Sequence, residues 1–112
     1  MDWKNRFESE IQRAAAVRDS GNAGQSRVCA RRAAGIAIRE YYQRRNISVK
    51  SSSAYDLIKS LQELTDLPDG VLRDAEYLVL RVDQDFNLPL PVDLVLVAQR
   101  LAACLLPDAD MR

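Results

Sequence analysis

Arginine is the residue type in this chain whose number and spacing point to chemistry. Arg27, Arg31, Arg32, Arg39, Arg44, Arg45 and Lys50 fall within 24 residues, opposed there only by Glu40. A guanidinium presents a planar fork of N–H donors that matches a phosphate or a carboxylate, so this density suits a polyanion or an acidic partner. Tyr41, Tyr42 and Tyr55 lie nearby in the sequence to stack on a base. The candidate contacts for phosphate or partner are Arg27, Arg31, Arg32 and Arg39, with Arg81 as a further one. A solvated helix face accounts for the same density. The acidic second half of the chain speaks against a general nucleic-acid binder.

Much other chemistry is excluded or weakly supported. The chain contains no histidine, which removes Ser-His and Cys-His nucleophile pairs, the usual general base and the commonest transition-metal ligand. Gly21 and Gly24 are not followed by the Gly-Lys-Ser/Thr of a phosphate loop. Asp66 with Asp69 and Asp83 with Asp85 sit at expected helix ends, where carboxylates serve as caps and solvated charge. An EF-hand would need more oxygens and a closing glutamate. Cys29 and Cys104 stand far apart beside alanines, without a CxxC partner, and read as small buried thiols. No cofactor and no metal are expected.

Formal net charge is zero, yet residues 1–50 hold 11 Lys and Arg against 5 Asp and Glu, and residues 51–112 hold 5 against 11. Either the two halves pack together and neutralise one another, or the basic half offers a face to an anion. The 112 residues suit one domain, 1–112. No run approaches the ~18 uninterrupted apolar residues of a membrane span, since Asp93, Gln99 and Arg100 break the most apolar stretch. The first residues lack the apolar core of a secretory signal, so a cytoplasmic location is expected.

The elements that must position the arginines are helices. Trp3, Phe7, Ile11, Ala14 and Ala15 recur at helical spacing over 2–18, with Asp2 as cap and Gly21-Asn22 as stop. Over 23–45, Cys29, Ala30, Ala33, Ala34, Ala37 and Tyr41 share one face, while Arg27, Arg31, Arg32 and Arg39 share the other. Glu40 lies near the alanine side, either held by an arginine from elsewhere or reaching out to solvent. Ser53 caps a third helix over 54–65, carrying Leu57, Ile58, Leu61 and Leu64. Pro68 sits in the first turn of a fourth, whose inner face is Val71, Leu72, Ala75, Leu78, Val79 and Val82 to about residue 83. Pro91 opens a fifth, to about residue 106, with Leu94, Val95, Ala98, Leu101, Ala102 and Leu105 inward. Short links predict an all-α, antiparallel up-and-down bundle of four to five helices.

The order of these features resembles the HEPN-domain family of small helical bundles. Gly21-Asn22, a long helix with Ala33-Ala34 and Ala37-Ile38-Arg39, the Tyr55-Asp56-Leu57 step and Asp83-Gln84-Asp85-Phe86 carry the likeness over roughly residues 10–106. Gly35 and Ile36 stand where that family often has Glu and Lys. Its ribonuclease-type members use an arginine followed by a histidine; Arg81 matches the first, but Asp85, Phe86 and Asn87 stand where the second should be. The resemblance therefore implies a non-catalytic module that binds a nucleotide or a nucleotidyltransferase-type partner subunit, commonly as a homodimer. Two alternatives stay open: a weak RNA-cleaving enzyme using Arg81 with a carboxylate such as Asp85, and a purely structural homodimeric bundle.

Overall fold

Local chemistry sets where the helices start and stop. In the computed structural model, which describes residues 2–49, 51–80 and 93–107, Asp2 caps α1 (Trp3–Asp19) by accepting from the Lys4 amide. α1 ends where Gly21 turns left-handed at φ +92°, a conformation that a Cβ would strain. The Gly21 amide returns to the Arg18 carbonyl and the Asn22 amide to the Val17 carbonyl, satisfying acceptors the helix end would leave bare. Asn22 at once caps α2 (Ala23–Arg44), its side-chain oxygen accepting from the Gln25 amide. α2 closes with the same pattern but no glycine. Asn46 takes the left-handed position at φ +57°, and the Ile47 amide bonds back to the Tyr42 carbonyl.

The described residues form an all-α bundle of five helices, with no strand among them. α3 spans Ala54–Ser60 and continues into a 3₁₀ turn, Leu61–Glu63; α4 spans Val71–Leu78 and α5 Leu94–Leu105. α2 is the central element, packed against α1, α5 and α3, while α4 rests mainly on α5. Its face of small residues explains the arrangement. Cys29, Ala30, Ala33, Ala34 and Ala37 are all fully buried, so neighbouring backbones come close on several sides at once. Phe7, Ile38, Ile58, Leu61, Leu78 and Leu101 fill the space between. Within this core Ser26 donates to the Ala14 carbonyl at 2.9 Å. The Tyr42 and Ser60 hydroxyls meet at 2.5 Å; because Ser60 already gives its one proton to the Leu57 carbonyl, Tyr42 is the donor.

The expected helices are present, with differences at their ends. The third gives way to the 3₁₀ turn after Ser60 instead of reaching residue 65, and Leu64 is extended. Ser60 bonding back to Leu57, one turn behind it, favours that tightening. The fourth starts at Val71 and not at Pro68, because Gly70 is left-handed at φ +88°, a break that leaves Pro68 in the preceding link. It ends at Leu78, short of residue 83; Val82 lies outside the described residues, as does Pro91. The fifth is capped by Asp93, whose carboxylate accepts from the Val95 amide. Leu72, expected inward, is 39% exposed, and the neighbouring inward position belongs to Asp74, only 3% exposed.

That buried carboxylate is held by Arg100 of α5. Nε lies 3.1 and 3.2 Å from its two oxygens, and Nη2 2.6 Å from Oδ1. A second pair, Arg18 to Asp93 at 2.7 Å, ties the end of α1 to the start of α5 and joins the basic half of the chain to the acidic half. Glu40 is half-buried and held by Arg44 of its own helix at 2.9 Å, not by an arginine from elsewhere. Both cysteines are free; Cys29 is buried and Cys104 partly so. No helix among the described residues is long and apolar enough to cross a membrane.

Candidate anion-binding site

Along the outward side of α2, Val28, Arg31, Arg32, Gly35, Ile36 and Arg39 recur at one-turn spacing and form the floor of a cavity of about 500 Å³. α1 supplies one wall through Arg6 and Glu10, themselves one turn apart. The start of α3 and the link before it supply the other, through Ser52, Ser53 and Tyr55. The size lies within the ~300–1,000 Å³ common for small-molecule sites. Arg32 and Arg39, seven residues apart, are separated by about 10.5 Å along the helix axis, so the positive charge extends along the floor.

Gly35 explains how α3 comes so near α2. A Cβ placed there would lie 3.0 Å from the Ala54 Cβ and 3.2 Å from its Cα, so any side chain would push α3 away. The α3 wall is then ordered by its own polar groups. Ser51 Oγ donates to Asp56 Oδ2 at 3.0 Å and accepts from the Ser53 amide at 3.1 Å, while Ser53 Oγ accepts from the Asp56 amide at 3.3 Å. This bracket holds Ser52, Ser53 and Tyr55 on the cavity edge.

Arg31 is tied to a neighbouring helix. Its Nε donates to the Leu78 carbonyl at 2.5 Å and its Nη2 to the Leu80 carbonyl at 3.0 Å, so it caps the C-terminal end of α4. Burial first, and then the nearby charge of Arg27, push its pKa below the ordinary arginine value. Arg100 shows the reverse: its hydrogen bonds to Asp74 raise its pKa. Opposite the arginines, Glu10 keeps Oε1 buried with no hydrogen-bond partner among the described residues.

Arg31, Arg32 and Arg39 are thus brought together, as their shared helix face predicts. Arg27 is half-buried and neighbours Arg31, but it does not line the cavity. Arg81, Asp83 and Asp85 lie outside the described residues. Of the three tyrosines expected to stack, Tyr41 and Tyr42 are buried in the core, and only Tyr55 reaches the cavity. Arg45 lies over the Tyr41 ring at 4.7 Å and Arg44 pairs with Glu40, so this end of the basic run is engaged along its own helix. The sequence reading missed Arg6 and Glu10. Their i, i+4 spacing on the polar side of α1 was visible, but not that this side abuts the arginine face of α2. Among the described residues no three His, Cys, Asp or Glu side chains converge as a metal site would require. No protein-family model matches the chain, and neither a characterised protein nor a solved structure matches it.

Proposed function

We propose that this chain is a HEPN-like binding module without catalysis of its own, and that it holds the phosphates of a nucleotide in the α1–α2–α3 cavity. The observation that carries this reading is the convergence of Arg31, Arg32 and Arg39 with Arg6 on one cavity. Side-chain hydroxyls and one aromatic ring stand at its edge. Guanidinium groups supply charge-assisted bonds to phosphate oxygens, Ser52 and Ser53 neutral donors, and Tyr55 a face for a base. Glu10 limits the charge of the cavity and offers an acceptor to a ligand hydroxyl or amine. With no histidine in the chain, the cavity lacks the most common general base.

The resemblance adds that such a module works as a homodimer or beside a nucleotidyltransferase-type subunit. The direct test is calorimetric titration of ATP into the protein and into the double variant Arg32→Glu/Arg39→Glu. Arg31 is better left in place here, because it also holds α4. Loss of binding with an unchanged helical circular-dichroism spectrum supports the proposal. Equal affinity of the variant would remove the cavity from the function. Light scattering on the same samples reads the homodimer directly, and a monomer at all concentrations tested rejects it.

A further inference from the structure

We infer that Arg31 is the fixed anion contact of this cavity, and that the C-terminal turn of α4 senses whether the cavity is occupied. This rests on the phosphate-binding reading above and adds a specific residue and a coupling to it.

A guanidinium carries five N–H donors. In Arg31 the Nε–H and one Nη2–H are committed to the Leu78 and Leu80 carbonyls. The two Nη1 protons and the second Nη2 proton have no acceptor among the described residues, and Arg31 is one of the residues that line the cavity. The two carbonyls fix the plane of the fork, so an oxyanion meets a donor group that is already oriented. Carbonyl dipoles at a helix end attract a cation but do not neutralise it. No carboxylate among the described residues pairs with Arg31, and the charge of Arg27 adds to its own. A half-buried cation in that setting favours an anion on its open side. Arg32 and Arg39 differ, since neither donates to an α4 carbonyl. Among the described residues, Arg31 is the cavity arginine that donates to carbonyls at the end of α4.

Coupling follows by reciprocity. When the end of α4 opens, Arg31 loses the two acceptors that orient it, and the anion loses a preorganised contact. Bound anion therefore favours the closed turn, and the closed turn favours anion binding by the same factor. The amides that report on this are Val79, which donates to the Ala75 and Glu76 carbonyls, and Leu80, which donates to Tyr77.

Hydrogen exchange of the full chain, followed residue by residue by NMR during titration with inorganic pyrophosphate, tests this. At a tenfold excess over Kd, exchange of the Val79 and Leu80 amides is expected to slow by roughly three- to tenfold. Arg31→Lys keeps the charge but lacks the fork; it should bind more weakly, and at matched occupancy exchange at these amides should not slow. Arg32→Ala should weaken binding yet retain the slowing at matched occupancy. Shifts at the Arg32, Ala54 and Tyr55 amides without slower exchange at Val79 and Leu80 would overturn the coupling and leave the phosphate site standing. Retention of the coupling in Arg31→Lys, or its loss in Arg32→Ala, would overturn the assignment to Arg31. If pyrophosphate moves no amide of α2 or α3, the phosphate-binding reading falls, and this inference falls with it.

Discussion

Helix α4 is held by two arginines that do opposite things. Arg100 reaches from α5 to Asp74, a buried carboxylate that takes contacts from Nε and Nη2. Arg31 reaches from α2 to the last carbonyls of the same helix and finds dipoles instead of a charge. The first cation is matched by a partner of equal and opposite charge, and its pKa rises. The second stays uncompensated among the described residues, and its pKa falls. Matched charge fastens two elements and asks nothing of a ligand. Unmatched charge at a cavity wall fastens less well and leaves binding capacity over. Position decides this, because the residue type and the helix held are the same in both cases.

The largest effect that sharpens this contrast is expected from Arg100→Ala. It strands the Asp74 carboxylate, 3% exposed, and should cost about 2–3 kcal/mol in urea unfolding, toward the lower end for a broken buried pair because Arg100 itself reaches solvent. Pyrophosphate affinity should not change; a parallel loss of affinity would break the separation between the fastening arginine and the binding one. Arg31→Ala should cost less, about 1–2 kcal/mol for two charge-assisted bonds to carbonyls, but should also weaken pyrophosphate binding. Full stability with weakened binding would show that its hold on α4 contributes nothing.

Smaller still are the expected losses in Arg32→Ala and Arg39→Ala: about five- to tenfold each in affinity, or about 1–1.4 kcal/mol, with unfolding midpoints unchanged. Affinity should fall with added salt, and more shallowly in these variants, because exposed charges are screened. The smallest effect belongs to a neutral pair. Burial pushes the Tyr42 phenol above its ordinary pKa. The folded state then holds the phenolic proton more tightly than the unfolded state. The resulting stability is fully present below about pH 10 and is lost as pH rises through the folded-state pKa. Tyr42→Phe should cost about 1 kcal/mol at neutral pH and flatten the decline in Tm above pH 10; an equally steep decline would assign it to other groups.

Nearly all of the helical architecture was legible from local signals. Asp2 and Ser53 cap the helices they were expected to cap, and Gly21 stops α1, while Asn22, expected only as part of that stop, also caps α2. Every inward position assigned in 23–45 and in 91–106 is buried. These readings succeed because a cap acts within three residues and a helix repeats its face every three or four. Pro68 misled because the left-handed Gly70 just beyond it breaks the chain more sharply than proline opens a helix. Leu72 and Asp74 misled because hydrophobicity alone sets aside a carboxylate that has a partner on another helix.

The candidate site was half legible for the same reason. That Arg31, Arg32 and Arg39 share a face follows from the period of one helix, and so does the burial of Tyr41 opposite them. That Arg6 and Glu10 stand across from them, that Tyr55 closes the far side, and that Arg31 turns to the carbonyls at the end of α4 depends on which helices become neighbours. Helical period fixes what each helix presents. Only packing around the small residues of α2, with Gly35 admitting α3, decided which presented faces meet, and so left Arg31 unmatched among the described residues.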